Sequence, residues 1–297
     1  KVTEGNLVIN LVGSSGADID FNNSTFYIGI TGNFLIRMIS GGESSNYETI
    51  KNASFYGSAS NTEEGKGRFG LNALKAHNVH FENLSFYDAQ SMGYHLFDLA
   101  AVDNFIFNDL EVRGFGKAGL SSLDRDRLYK SNPHALYSEA IQVDSAYEGC
   151  FGTYGFSDST NIIFNKEKKG LPKNADSKSK ISTNITLKNS YFGPYTGVIG
   201  QGKIDNERYM ARQYFSATAI GSHSGTGTPK VTIMDNTFEN TIYSELTTTD
   251  SRLYPIHFRN PKLDFIYQSK NNFINQHGNS KKNGYLLNSR YVAWYKN

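Results

Sequence analysis

An all-β, single-domain right-handed parallel β-helix, a solenoid with long loops on one side, is the fold this sequence predicts. Three observations predict it. A short alternating apolar stretch, then Asn or Asp, then two residues and a Phe or Val, recurs along the chain. A second short apolar strand follows each copy. The distance between the two varies far more than the strands themselves.

The first element reads Thr49-Ile50-Lys51-Asn52-Ala53-Ser54-Phe55, and the next Val79-His80-Phe81-Glu82-Asn83-Leu84-Ser85-Phe86. Further copies run from Ile106 through Asp109 to Val112, from Ile185 through Asn189 to Phe192, and from Val231 through Asp235 to Phe238; a degenerate one spans Phe265 to Phe273. A strand alternates its faces, so the apolar positions of each copy share one side. Asn tolerates left-handed backbone and bonds neighbouring groups through its amide, which suits a tight corner. The following Phe then returns to the core. Phe55, Phe86, Phe192 and Phe238 are therefore expected to stack inside, with Asn52, Asn83 and Asn189 one above another at the corner.

The second strands are His95-Leu96-Phe97-Asp98-Leu99, Glu139-Ala140-Ile141-Gln142-Val143-Asp144, Ala217-Thr218-Ala219-Ile220-Gly221, Pro255-Ile256-His257-Phe258-Arg259 and Tyr285-Leu286-Leu287-Asn288. Two strands per coil, each with an inward face, bury that face only against another coil stacked about 4.8 Å away. The closing Phe or Val positions lie 31, 26, 80, 46 and 35 residues apart. Such spacings fit coils of roughly 22 to 35 residues with lengthened rungs in the wide gaps. A β-sandwich would not repeat an apolar–Asn–Phe corner.

Insertions fall between corner and second strand, on one side, and that side is usually where a solenoid binds. The loops 113–138, 193–216 and 239–254 carry Arg125, Arg127, Lys130, His134, Lys203, Arg208, Tyr209, Arg212, Tyr214 and Arg252. On the second strands Glu139, Gln142 and Asp144 share one element, His223 follows another, His257 and Arg259 flank Phe258, and Arg290 closes the last coil. Stacked coils align Gln142, His223, His257, Arg259 and Arg290 into a ladder of amide and basic groups. Its plain reading is a solvated sheet face. Its functional reading is a carboxylate-binding surface, since Arg and Lys make charge-assisted and, for Arg, bidentate bonds to carboxylates. Tyr209 and Tyr214 can stack on sugar rings.

The net charge of +2 hides an asymmetry. Residues 1–160 carry 11 Lys/Arg against 19 Asp/Glu, and residues 161–297 carry 19 against 9. Clustered basic loops explain this as well as a cationic end that attracts a polyanion does. Hydrolysis of a glycosidic bond normally needs two carboxylates flanking it. Only Asp98, Glu139 and Asp144 are available on successive second strands, so catalysis is the minority reading. The histidines have no tight metal-ligand spacing and the lone Cys150 cannot assemble a zinc site or an internal disulfide. Neither a cofactor nor a metal is expected, and no GxGxxG opens a helix. No apolar run approaches the roughly 18 residues of a membrane span. The start lacks the order of a signal peptide, so the chain reads as a mature protein or an excised fragment.

These coils resemble the pectate-lyase-type β-helix superfamily. More narrowly, Tyr94-His95-Leu96-Phe97-Asp98-Leu99, the run from His134 through Tyr137 and Glu139 to Asp144, and Gly221-Ser222-His223-Ser224 resemble the binding regions of serine-rich repeat surface adhesins of gut lactic-acid bacteria. The similarity covers residues 45–297, and the middle run is its most specific part. It implies a cell-wall-anchored surface protein whose binding region holds acidic polysaccharide such as pectin, or host mucus glycans. No Ser-rich repeat or wall anchor is present, so the expected object is the excised binding domain over 1–297, monomeric, with no nucleic-acid partner and no membrane insertion. The paired-Asp and Arg-Ile-Lys motifs of the polygalacturonase branch are absent, which weakens an inherited hydrolase activity. The function expected is non-catalytic carbohydrate binding through a basic groove lined by Lys130, His134, Tyr137, Glu139, Gln142, Arg208, Tyr209, Arg212, His223, Arg252, His257, Arg259 and Arg290. The alternative is a polysaccharide lyase or glycoside hydrolase acting on polyuronates in the same groove.

Overall fold

The computed structural model describes residues 2–11, 13–39, 47–58, 66–91, 94–115, 139–144, 182–195, 218–222, 230–239, 255–258 and 266–274. Among them every pairing between strands is parallel. Two sheets share one long strand, β2 (Asp18–Ile39), after β1 (Val2–Asn10). The first part of β2 pairs with β3 (Glu48–Tyr56), and its second part with β1 and β4 (Arg68–Leu74). The first sheet continues through β5 (His77–Tyr87) and β7 (Asp103–Arg113). Beyond β7 each rung is split in two: β9 (Thr183–Lys188) with β10 (Tyr191–Gly193), β12 (Val231–Met234) with β13 (Thr237–Glu239), and β15 (Ile266–Ser269) with β16 (Asn272–Ile274). The second sheet stacks β2, β4, β6 (Phe97–Ala100), β8 (Ile141–Asp144), β11 (Ile220–Ser222) and β14 (Ile256–Phe258). This is a parallel β-helix, as the repeat requires. The expected strand at 285–288 lies outside the described residues.

The corner lies inside the first sheet, at the Asn of the repeat. Asn52, Asn83, Asp109, Asn189 and Asp235 all have positive φ, between 51° and 61°. Lys270 takes the same conformation in the degenerate copy, with φ 52°. Side chains other than Gly and, to a lesser degree, Asn and Asp are strained there, which explains the residue type. Each strand therefore bends into two limbs. With the second sheet the coil has three faces rather than the two strands expected.

Behind the corner the Phe rings stack along the axis. Phe26 lies 5.2 Å from Phe55, Phe55 5.3 Å from Phe86, Phe192 5.6 Å from Phe238 and Phe238 5.3 Å from Phe273, all near parallel. Val112 takes the rung between Phe86 and Phe192. From the second sheet, Phe69 meets Phe55 at 4.7 Å and Phe86 at 4.8 Å, closing the interior. Phe55, Phe86, Phe192 and Phe238 are all buried. One position inward of the corner, the stack changes character along the solenoid. Ala53, Leu84 and Leu110 give way in register to Ser190, Asn236 and Asn271.

Candidate functional site

Alternation along the second sheet drives Phe97, Leu99, Ile141 and Val143 into the core and leaves Asp98 and Gln142 on the opposite face. Parallel, unshifted register then fixes a row, one residue per coil: Asn10, Arg37, Asn72, Asp98, Gln142, Gly221 and His257 are successive partners. Asn72 donates its amide to Asp98 Oδ2 at 3.2 Å. Arg37 and Gln142 are both buried, and burial holds the Arg37 guanidinium below its ordinary pKa. Of the expected ligand-binding residues, Gln142 therefore joins the row that stacking predicts, as an enclosed side chain. His257 occupies the row's far end by its backbone register.

Glu139 precedes β8 instead of lying in it, and is buried. Its carbonyl accepts a hydrogen bond from His95 Nδ1 at 2.7 Å and another from Gln90 Nε2 at 3.1 Å. The first contact requires the Nδ1–H form of the imidazole, since a carbonyl only accepts. Glu139 Oε2 lies 3.7 Å from the same nitrogen. Gln90 Nε2 also reaches the carbonyl of Tyr94 at 2.9 Å. The segment before β6 is thus tied to the next coil by side chains as well as by Leu96 N–H on the Ala140 carbonyl at 3.0 Å.

Beside this segment stands Arg68, a residue the sequence reading passed over. It starts β4 in register with Asn33, whose side-chain oxygen accepts the Arg68 backbone N–H at 3.4 Å. Asn33 itself donates to Asn6 Oδ1 at 2.9 Å. The Arg68 guanidinium lies over the Tyr94 ring, 4.1 Å from its centroid, and is only 6% exposed. Gly70 leaves the room: a Cβ there would come within 2.3 Å of the Arg68 terminal nitrogen. Burial pushes this guanidinium down to about 10, against the opposing pull of Tyr94 and Asp98. Its Nε is buried with no acceptor among the described residues. Arg68 is not legible as a site residue because Tyr94, 26 positions on, meets it only through coil stacking.

A second surface also escaped the sequence reading. On the limb after the corner Tyr27, Tyr56 and Tyr87 stack at 5.4 and 4.5 Å, facing outward. In the next rung Arg113 lies 4.2 Å over the Tyr191 ring and pairs with Glu111. Tyr87 donates to Glu111 Oε2 at 2.6 Å and Tyr191 donates to Glu239. Burial together with these carboxylates pushes both phenols up to about 12. For Glu111 burial alone would raise the carboxyl, but hydrogen bonds from Tyr87 and Arg113 hold it below its usual range. The signal was present as the dipeptide Phe-Tyr at 26–27, 55–56 and 86–87.

Lys130, His134, Tyr137, Arg208, Tyr209, Arg212, His223, Arg252, Arg259 and Arg290 lie outside the described residues. Among the described residues no group of three or more His, Cys, Asp or Glu is arranged to hold a metal ion.

No family model and no curated protein matches the chain. Among solved structures, PfbA, a surface adhesin of Streptococcus pneumoniae, matches with a TM-score of 0.51 and 15% identity over 99% of this chain and 59% of that one. Another structure of the S. pneumoniae surface protein and adhesin PfbA aligns with 92% of this chain and 68% of that one, at 15% identity and a TM-score of 0.41. This chain spans about three fifths of the first structure's length. The likeness is one of fold: a parallel β-helix.

Proposed function

We propose that this chain is a non-catalytic binding module of adhesin type, which holds an acidic glycan along its second sheet at a bacterial cell surface. The observation that carries the reading is the in-register row from Asn10 to His257, with one polar or glycine position per coil. Such a row repeats at about 4.8 Å, close to the length of one sugar ring, and suits a linear polymer lying along the axis. Arg, Asn and Gln are planar donors that pair well with hydroxyls and carboxylates, and Asp accepts from hydroxyls. The positive balance of residues 161–297 favours a polyanion, with Arg208, Arg212, Arg252, Arg259 and Arg290 as its cations. The fold shared with a pneumococcal surface adhesin, and the resemblance to serine-rich repeat adhesins, support the surface setting.

The test is retention on immobilised polygalacturonate and on acidic mucin glycans, beside a reducing-end and unsaturated-uronate assay on the same substrates. Retention without product supports the proposal. Sustained product release would replace it with the lyase or hydrolase reading, and failure to retain either glycan would overturn it.

A further inference from the structure

Among the described residues two arginines lie over tyrosine rings, and only one of them makes an ion pair. Arg113 sits 4.2 Å over Tyr191 and is paired with the Glu111 carboxylate. Arg68 sits 4.1 Å over Tyr94, is the more deeply buried of the two, and has no ion pair among the described residues. A buried cation is normally paired, because its lost hydration must be replaced. Stacking on a ring replaces part of that hydration and satisfies none of the five N–H donors. Gly70 keeps the space over which the guanidinium lies, since any side chain at that position would collide with it.

From this we infer that Arg68 and Tyr94 form a subsite for a single carboxylate of the bound glycan, that of a uronate residue. The inference rests on the glycan reading of the second sheet and names the group recognised there. Arg68 fits a carboxylate because its fork presents two parallel N–H bonds to the two oxygens. With Nε buried, the two terminal nitrogens are the donors that would hold the carboxylate. The Asp98 charge acts on Arg68, and it penalises a dianion such as a phosphate monoester more than it penalises a monoanion. A uronate carboxylate carries one charge and accepts both bonds. Its methyl ester keeps the shape, loses the charge and cannot offer two equivalent oxygens.

The experiment titrates wild type, Arg68→Met, Gly70→Ala and Arg113→Met with a galacturonate oligomer and with its methyl ester. Calorimetry reads the affinity, and the Arg68 side-chain N–H resonances are followed in the wild type. The expected result is at least a tenfold loss of affinity for the acid in Arg68→Met and Gly70→Ala. Arg113→Met should bind as wild type does, and the ester should bind wild type and Arg68→Met alike. Gly70→Ala keeps the charge and displaces it, and the wild-type resonances need no variant, so a misfolded Arg68→Met leaves the question decidable. If the wild type binds the acid while Arg68→Met and Gly70→Ala bind equally well, or the Arg68 resonances do not move, the subsite is wrong and the glycan reading stands. If the wild type binds neither oligomer nor polymer, that reading falls and the subsite with it.

Discussion

Asn83 donates its side-chain amide to the side-chain oxygen of Asn52 at 2.9 Å, one coil away, and Asn52 donates in turn to Asp20 at 2.9 Å. The ladder resumes where Asn189 donates to Asn108 at 2.8 Å. At Asn52, Asn83 and Asn189 one residue type thus performs two tasks: it accepts left-handed backbone and bonds to the neighbouring coil.

The two tasks separate by substitution. Asn83→Ala should lose about 1–2 kcal/mol from the left-handed strain alone, plus a small contribution from the exposed amide bond. Asn83→Gly removes the strain and loses only the amide bond, so it should be the milder change. Urea denaturation of the two variants checks this order; an alanine variant as stable as the glycine variant would contradict it.

In the core, Phe192 faces Phe238 at 5.6 Å and is completely buried. Phe192→Ala should cost about 3–5 kcal/mol, the range for deleting a buried ring. Phe273, only partly buried at the end of the described stack, should cost less. A loss below about 1 kcal/mol at Phe192 would mean that the ring does not hold the coils together.

The corner was readable because one residue type carries a backbone demand that few others meet, and because Phe follows it at fixed spacing. The first coil carries the same signal, as Asn23-Ser24-Thr25-Phe26, but Asn22 and Asn23 are both left-handed and the pairing shifts between Asp20 and Ser24. Those two extra residues blur the repeat, so the sequence pattern does not reveal β1 and β2. β4 was missed as well, for its Phe69-Gly70-Leu71 core has no corner of its own. Burial of Arg68 and Gln142 was illegible for another reason: outward alternation predicts which face a side chain takes, not whether that face is enclosed.

The outward tyrosines make an alkaline prediction. Tyr87 and Tyr191 are pushed up to about 12, above the ordinary phenol value near 10. The folded state therefore holds these protons more tightly than the unfolded chain does. Their contribution to stability is complete below pH 10 and is lost as pH rises towards 12. Absorbance titration should show a late-ionising class of tyrosinate that shrinks in Tyr87→Phe, and that variant should show a weaker loss of stability across this window. An unchanged late class would exclude Tyr87 from it.

Asn236 tests the change of character inside the corner. Its oxygen accepts Ser190 N–H at 2.9 Å, and its amide donates to the Leu187 carbonyl at 3.1 Å and to Asn271 Oδ1 at 3.0 Å. Asn236→Leu copies the residue found at the same rung position at 84 and 110, yet it strands a buried donor and a buried acceptor. The expected cost is at least about 2 kcal/mol, since each stranded group costs about 1–3. If leucine is tolerated without loss in thermal unfolding, the ladder is ornamental and the corner is set by backbone alone.

Binding to an acidic polymer should weaken with salt and depend on several cations at once. Arg208 and Arg212 precede the strand that contains Ile220, and Arg252 precedes the one that contains Ile256. In a solenoid those strands belong to successive coils, and β11 pairs directly with β14. Cations from neighbouring coils can therefore follow one chain of uronates. A single exposed contact is worth only about 0.2–1 kcal/mol, so affinity must come from their sum. Charge reversal at Arg208, Arg212 and Arg252 together should abolish retention on polygalacturonate while leaving thermal unfolding unchanged. Raising salt should shorten the range over which such exposed charges act, to about 3 Å at 1 M, and reduce wild-type retention in step. A triple variant that binds normally, or retention indifferent to ionic strength, would assign the glycan to another face and leave the cationic half of the chain without this role.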